Sequence, residues 1–379
     1  MKPLGYGDFK RSARRRLPPF LFEYIAGGAM SEATLGANFR ALDAVKLRQR
    51  VLRNVDQVDL AASWFNQDAC LPVALGPIGI AGMNARRGEL QAAKAAQQAG
   101  IPFCLSTVSI CSIEELARHK LPFWFQLYIM RDRSLMQDLL DRAQAAGCST
   151  LVLTVDMPQP GRRYRDFRSG LAGSSGISGS IRRVAQAATR PTWSWDVGLR
   201  GAPHSLGNVS KILGPKSGLE DFLGWMSGNF DPTVTWADLE RVRRMWQGTL
   251  ILKGIMDTED ARIARDLGAD GIVVSNHGGR QLDGTKGTAE VLSEIADALA
   301  GEMTLFADGG VRSGLDVVRM LALGAHGVWL GRAWAYALGA GGEAGVAHLI
   351  DQIRDEVSIT MALCGVTSID TVDRSVLSE

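Results

Sequence analysis

The chain has 379 residues, of which 46% are apolar and 22% charged, the composition of a globular protein with a large core. Its five cysteines (Cys70, Cys104, Cys111, Cys148 and Cys364) are scattered, without a CxxC pair and mostly inside apolar runs, which favours buried thiols in a reducing compartment over a disulfide framework or a zinc site, so no metal is expected. The N-terminal stretch MKPLGYGDFKRSARRRLPPF is basic without a continuous apolar core, and no uncharged apolar run approaches the ~20 residues that cross a bilayer, so neither secretion nor a membrane span is expected.

Eight short β-branched or aromatic runs follow one another along the chain: Leu71 to Pro77, Pro102 to Thr107, Phe123 to Tyr128, Thr150 to Asp156, Thr249 to Gly254, Gly271 to Asn276, Thr304 to Gly310 and Gly327 to Arg332. Helical patterns such as RGELQAAKAAQQAG and TEDARIARDLGAD separate most of them. Near-continuous apolar strands belong to parallel sheets covered on both faces. Eight strand and helix units in sequence predict an α/β fold, a TIM (β/α)8 barrel, taken as one domain over residues 1–379; an open doubly wound sheet would not call for eight equivalent units.

Such a barrel builds its active site at the C-terminal ends of its strands. Those ends carry Pro77, Ile78 and Gly79; Ser106; Gln126 and Tyr128; Thr154 and Asp156; Lys253; Ser275, His277 and Arg280; Asp308, Gly310 and Arg312; and Gly331 with Arg332. Polar residues can simply mark where strands stop. That does not account for Lys253 inside LILKGI or Gln126 between Phe125 and Leu127, because a charge or an amide in an apolar run needs a partner.

The motifs SNHGGRQLD, LTVDMPQPGRRYRD, ILKGI, FQLYI and DGGVRSGLDVVRMLALGA resemble those of the FMN-dependent α-hydroxy-acid oxidases and dehydrogenases, a TIM-barrel family. The resemblance runs from LPPFLFEYIAGGA to MALCGVTSI, and the longer stretches GMNARRGE, IPFCLSTVSICSIEE and HSLGNVS are most like the respiratory branch that oxidises L-lactate to pyruvate. It implies FMN as cofactor, a small 2-hydroxy acid as substrate, a quinone or other electron acceptor, and a homotetramer. It also implies that Tyr24 and Tyr128 contact the substrate's carboxylate and hydroxyl. Two positions bear on specificity: Val108 stands where the family often has a bulky aromatic, and Gly79 where oxidases often carry alanine.

The residue chemistry points the same way as the resemblance. Oxidation of a 2-hydroxy acid removes two electrons and two protons, so the site needs a base, a clamp for the carboxylate and an electron acceptor. His277 is the expected base, because histidine alone among these strand-end side chains has an ordinary pKa, about 6.5, suited to proton abstraction near neutral pH. Asp156 would orient its imidazole. Arg280 and Arg163 would grip the carboxylate with planar, permanently charged forks. No G-x-G-x-x-G opens a helix after an early strand, which argues against a nicotinamide. The glycine-rich ends of the seventh and eighth strands, with Gly310, Arg312, Gly331 and Arg332, instead suit a phosphate site, with Asp308 at its edge. Lys253 would stabilise negative charge on a reduced flavin; Ser106, Gln126, Thr154 and Ser275 would meet the flavin edge, and Pro77, Ile78 and Gly79 its face.

The net charge of +2 is unevenly spread. Between Gly161 and Lys216 ten Lys or Arg face two Asp, a local charge of +8. This lies within a long connection after strand four, about residues 161–248, whose SGLAGSSGISGS portion is expected to be flexible and whose Arg182, Arg183 and Arg190 stand beside Trp193 and Trp195. Basic and indole side chains together suit docking on an anionic membrane surface, here the cytoplasmic side of a bacterial inner membrane; a lid packed on the barrel is the alternative for the tryptophans. Nucleic acid is not expected, since no binding module accompanies the charge. The barrel pattern begins early in the chain, so a haem domain before it is not expected. The alternatives kept are a mandelate dehydrogenase, an oxygen-using glycolate or lactate oxidase, and, in another class, an FMN-dependent barrel isomerase acting on a diphosphate.

Overall fold

The computed structural model describes residues 2–173, 177–202, 204–209, 224–225 and 228–378. A hairpin, β1 (Ala62–Trp64) and β2 (Gln67–Ala69), precedes eight parallel strands: β3 (Val73–Leu75), β4 (Cys104–Ser106), β5 (Trp124–Tyr128), β6 (Thr150–Thr154), β7 (Thr249–Ile255), β8 (Gly271–Val274), β9 (Thr304–Ala307) and β10 (Gly327–Leu330). Neighbours in sequence are neighbours in the sheet. β10 pairs with β3, and a bridge between Leu75 and Phe103 joins the β3 and β4 segments, which closes the barrel. The predicted fold is therefore the one found; the β1–β2 hairpin was not among the predicted elements.

The barrel interior follows the two-residue period of a strand. Ala74, Cys104, Trp124, Val152, Ile251, Val273, Phe306 and Trp329, one from each strand, form one buried apolar cluster that also includes Trp64 of the hairpin. The rings of Trp64 and Phe306 meet edge to face at 5.2 Å, so the hairpin stoppers the N-terminal end. Two residues further along each strand stand Gly76, Ser106, Gln126, Thr154, Lys253, Ser275, Asp308 and Gly331. The period that buries the hydrophobic layer thus places a polar ring directly above it, at the C-terminal mouth.

Among the described residues the longer helices are α1 (Tyr6–Arg16), α2 (Pro19–Ala26), α3 (Ala33–Ala44), α4 (Gly88–Ala99), α5 (Ile113–Arg118), α6 (Arg133–Ala145), α7 (Tyr164–Ser169), α8 (Ile177–Ala188), α9 (Trp236–Met245), α10 (Thr258–Asp266), α11 (Thr288–Leu299), α12 (Gly314–Ala322) and α13 (Arg332–Cys364). After α8 come a helical turn, Pro191–Trp193, and a π-helical stretch, Ser194–Leu199. α9 carries a capping box on Thr235 and Asp238 and leads into β7 at Thr249, so it is the barrel helix that closes the long connection after β6. Much of its described part is helical; of the glycine- and serine-rich stretch, residues 174–176 lie outside the described residues.

Arg182 of α8 donates to the carbonyl of Arg168, Arg183 to that of Gly170 (3.1 Å), and Gln186 Nε2 to that of Ser169 (2.8 Å). They cap the C-terminal end of α7, whose carbonyls have no partner within the helix. Arg190 donates to the carbonyl of Leu17 just past α1 (3.1 Å). The arginines expected to meet lipid head groups are therefore engaged with main-chain carbonyls, Arg182 and Arg183 within the connection and Arg190 on the N-terminal segment. Trp193, 5% exposed, donates from Nε1 to the carbonyl of Met83 (2.7 Å) and packs on Phe20, whereas Trp195 is 62% exposed. One tryptophan packs on the protein and the other faces solvent.

Candidate active site

A cavity of about 540 Å³ opens at the mouth of the barrel above the polar ring. His277 enters it from the turn after β8, where three consecutive residues have left-handed backbones: His277 (φ 56°), Gly278 (φ 63°) and Gly279 (φ 73°). That conformation is costly for a residue with a Cβ and is kept here by surrounding contacts. The His277 amide donates to Ser275 Oγ (3.1 Å), and the Gly279 amide to Asn276 Oδ1 (3.0 Å).

Behind His277 its Nδ1 lies 3.0 Å from Asp156 Oδ1 and 3.2 Å from Oδ2. Asp156 reaches this place because residue 254 is glycine: a Cβ there would stand 2.5 Å from the Asp156 Cβ, and its φ of 116° suits only glycine. Burial alone would raise the Asp156 carboxyl, but the charge and hydrogen bond of His277, with Lys253 nearby, outweigh it and hold the carboxyl below its ordinary value. Asp156 is therefore an anion fixed behind the imidazole, and Nε2 is left to face the cavity.

Two arginines meet on one wall. Arg280 places Nη1 on the carbonyls of Tyr24 (2.6 Å) and Gly27 (3.0 Å), and its guanidinium lies 4.8 Å from the centre of the Tyr24 ring. Arg163 sits 5.9 Å from the same ring, 3.5 Å from Asp166 Oδ2, with its Nε unpaired among the described residues. Burial and the neighbouring Arg163 push Arg280 down to about 9. Burial lifts the Asp166 carboxyl above its ordinary value, although Arg280 and Arg163 pull the other way. Two half-buried cations with one reluctant counter-ion make a pocket for an additional anion. Tyr128 is buried with its ring edge-on to Phe230 at 5.3 Å, and burial together with Asp156 keeps its hydroxyl protonated.

The polar ring forms the floor. Lys253 Nζ lies 2.7 Å from Asp308 Oδ2 and donates to Ser275 Oγ (2.6 Å). Burial would lower this ammonium, but Asp308 and Asp156 outweigh it and raise it above its ordinary value. Ser106 Oγ donates to Gln126 Oε1 (3.0 Å), which leaves Gln126 Nε2 without a partner among the described residues; Asp308 Oδ1 is likewise unpaired. Thr154, Pro77, Ile78 and Gly79 line the cavity. At the β9 end, Gly309 and Gly310 have φ of 92° and 84°, and a methyl on Gly331 would meet nothing within 4 Å. A buried cation, an unpaired amide donor and a glycine cradle at the far wall fit a flavin ring with a phosphate tail.

Arg332 lines the cavity and donates to the carbonyls of Ile25, Gly27 and Gly278 at 2.8–2.9 Å. Arg312 is not brought to the cavity wall. It pairs with Asp43 (2.6 Å) and Asp316 (3.2 Å) and lies over the Phe39 ring, so the expected phosphate grip from this residue is not formed in this arrangement. Sequence reasoning missed Asn38, which exchanges amide hydrogen bonds with Asn276 (both 2.9 Å) and lies against Gly310, tying the His277 turn to the glycine cradle. It also missed Trp329, whose indole lines the cavity with Nε1 unpaired among the described residues. Asn38 lies in none of the motifs, and Trp329 stands in the Gly327 to Arg332 run, which was read there only as a strand.

Barrel, histidine–aspartate pair, arginine wall and flavin floor together define an FMN-dependent 2-hydroxy-acid dehydrogenase. The chain belongs to the FMN-dependent dehydrogenase family, whose model matches residues 13–379. It is 57% identical over 373 residues to L-lactate dehydrogenase of Caulobacter vibrioides (strain NA1000 / CB15N), covering 98% of this chain and 97% of the relative, and 56% identical to that of Caulobacter sp. (strain K31) over the same shares. Among solved structures it resembles the monotopic membrane protein (S)-mandelate dehydrogenase, with a TM-score of 0.93, 34% identity and both chains fully covered. Mandelate oxidase superposes with a TM-score of 0.82 at 38% identity, over 98% of this chain and 97% of the other.

Proposed function

We propose that this chain oxidises a short L-2-hydroxy acid, L-lactate to pyruvate, and passes the electrons to a quinone at a membrane surface. The observation that carries the reaction is the meeting of the His277–Asp156 pair with Arg280 and Arg163 on one cavity. The arginines hold the substrate carboxylate, the Tyr128 hydroxyl meets the substrate hydroxyl, and His277 Nε2 takes a proton while Asp156 stabilises the imidazolium. FMN, when bound, would accept the two electrons together with the second proton. Thr154, Lys253 and Gln126 would hold its ring, Pro77 to Gly79 would lie against its face, and Gly310, Gly331 and Arg332 would hold its phosphate.

Lactate is favoured by the relatives at 56–57% identity, whose name states that activity. An aromatic 2-hydroxy acid is the second reading, favoured by the mandelate enzymes among the structural neighbours and by Val108, a small residue lining the same cavity as Tyr24, Tyr128 and Phe230. Anaerobic bleaching of the flavin tests both: L-lactate should reduce it with a higher kcat/KM than (S)-mandelate, and D-lactate should not. No bleaching by either L-acid would overturn the assignment. Reoxidation of the reduced enzyme by a soluble quinone faster than by oxygen would support the acceptor.

Membrane attachment is proposed through an apolar face rather than through the charge. Ile181, Val184 and Ala188 follow helical spacing on the exposed side of α8, and Trp195 and Leu199 are exposed just beyond it. The structural neighbour named as a monotopic membrane protein supports this, and no described helix is long and apolar enough to cross a bilayer. All five cysteines are free, which suits the cytoplasmic face. A homotetramer is part of the same proposal. Val51, Leu52 and Leu363 are exposed, and the Arg50 amide bonds to the Leu363 carbonyl, giving an apolar surface away from the cavity.

A further inference from the structure

The stretch HSLGNVS is accounted for neither by the catalytic site nor by membrane docking. In the fold its described residues, 204–209, are where the connection after β6 meets the barrel. Leu206, Asn208 and Val209 are all buried, Asn208 to 1% exposure. They press against the loop from Ser106 to Ile113 that follows β4. Main chain meets main chain there: the Gly207 amide donates to the Ser109 carbonyl (3.1 Å), and a Cβ on Gly207 would stand 2.5 Å from the Ser112 nitrogen and 2.7 Å from the Ile110 carbonyl oxygen.

The Asn208 amide grips both ends of this loop. Its Nδ2 donates to the carbonyls of Ser106 (3.1 Å) and Thr107 (3.3 Å) and to Ser109 Oγ (3.0 Å), while its Oδ1 accepts from the Ile113 amide (2.9 Å). Arg142 in turn donates to the Asn208 carbonyl (2.8 Å). From the opposite side Glu89 Oε1 accepts from the amides of Ile110 and Gly82, each at 2.9 Å. Between these grips lie Ser106, in the polar ring, and Val108, on the cavity wall. Val108 Cγ2 stands 2.8 Å from where a Gly79 Cβ would be, and the Tyr24 hydroxyl 3.3 Å from it. The wall facing the substrate side chain thus depends on a side chain delivered by the inserted connection.

We propose that Asn208 is a positioning residue that sets, through Val108, how large a side chain the 2-hydroxy acid can carry. An amide suits this role because it supplies two N–H donors and one acceptor in a single plane, and no backbone turn offers both to the two ends of one loop. Without it the Thr107 carbonyl and the Ile113 amide lose the Asn208 partner in a buried place, the Ser106 carbonyl keeps only the Ser109 amide (3.2 Å), and the loop must shift to satisfy them. The proposal rests on the placement of Val108 in the substrate pocket, which the test examines separately.

The test uses the FMN-bound enzyme with Asn208→Ala, Val108→Ala and the double variant, and reads the kcat/KM ratio for (S)-mandelate over L-lactate by anaerobic flavin bleaching. The expectation is a shift of about fivefold or more in the ratio for each single variant, and clear non-additivity in the double variant, because residues that act through one another couple. A role confined to stability would leave the ratio in place. Should Asn208→Ala not accumulate as yellow protein, Asn208→Asp, which keeps the size and the acceptor but removes both N–H donors, is read in the same way. An unchanged ratio in the folded Asn208 variant, or strict additivity, overturns the proposal. An unchanged ratio in Val108→Ala overturns the pocket placement and the proposal with it.

Discussion

Asp156 and His277, 121 residues apart in the chain, meet at 3.0 Å with the imidazole between the carboxylate and the cavity. β6 and β8 deliver them to the same mouth, with Gly254 of the intervening strand leaving room for the carboxylate. His277→Gln should therefore keep FMN but slow its reduction by substrate by about 10²–10⁴-fold, the usual worth of a positioned base. Asp156→Asn should lose about 10²-fold or more, since the imidazole keeps its place but loses the anion that stabilises its cation. Anaerobic stopped-flow reduction of the flavin measures both, and normal reduction in the His277 variant would remove it as the base.

Arg280 holds the fold and, in the proposed reaction, the substrate at once. One nitrogen holds the carbonyls of Tyr24 and Gly27, which leaves the rest of the guanidinium for a carboxylate. Arg332 also holds the Gly27 carbonyl, so the same turn touches the substrate arginine and the arginine at the glycine cradle. A lysine cannot divide itself this way. Arg280→Lys should raise KM and lower kcat together, by about tenfold or more in kcat/KM. Titration of the oxidised enzyme with a non-oxidisable carboxylate, followed by the flavin absorption spectrum, gives the binding part of the loss. Unaltered affinity would mean that Arg163 alone carries the carboxylate.

Much of this site was legible because strands have a two-residue period. Trp124 and Gln126, or Ile251 and Lys253, are successive inward positions, so a polar residue two places beyond a buried one at a strand end already marks the barrel mouth. Local motifs also placed His277 and Arg280 together on one turn. What was hidden depends on contacts distant in sequence: Asn208 meets a loop about one hundred residues earlier, and Asn38 meets Asn276 across 238 positions. The arginines of the inserted connection were legible as charge but not as contacts, for a physical reason. A guanidinium offers five donors, which can cap carbonyls as readily as face phosphates, and composition does not say which. Trp193 and Trp195, two positions apart, likewise have opposite environments that only the helical geometry separates.

Charge on the floor of the site should show in the pH dependence of stability. The Asp156 carboxyl is held below its ordinary value of 3.8, so its stabilising contribution is present above that pH and is lost as pH falls through the lowered value. Lys253 is raised above its ordinary value of 10.5, so its contribution is present below that pH and is lost as pH rises through the raised one. Thermal melts of wild type and Asp156→Asn should therefore converge on acidification below about pH 4. Melts of wild type and Lys253→Met should converge at the alkaline end instead. A difference that stays constant across either limb would mean that the substitution acts through packing rather than charge.

Salt separates two ways of meeting a membrane. If charge held the protein to lipid, salt would release it, because exposed charges are screened over about 8 Å at physiological ionic strength. Arg182, Arg183 and Arg190 are engaged with main-chain carbonyls, while Ile181, Val184, Trp195 and Leu199 present apolar surface to solvent. Burial of that surface among acyl chains does not depend on screening. The holoenzyme should sediment with phosphatidylcholine–phosphatidylglycerol vesicles at both low and high salt. Ile181→Glu combined with Val184→Glu should abolish this, with flavin reduction by substrate within about twofold of wild type, because neither side chain reaches the cavity. Deleting the segment would be a poorer test, since it also strips the caps from α7, the helix that follows Arg163. Arg182→Gln should instead loosen α8 from α7, with earlier proteolysis in the connection and vesicle binding retained. Release by salt alone, or sedimentation of the double glutamate variant, would show that the apolar face is not what docks.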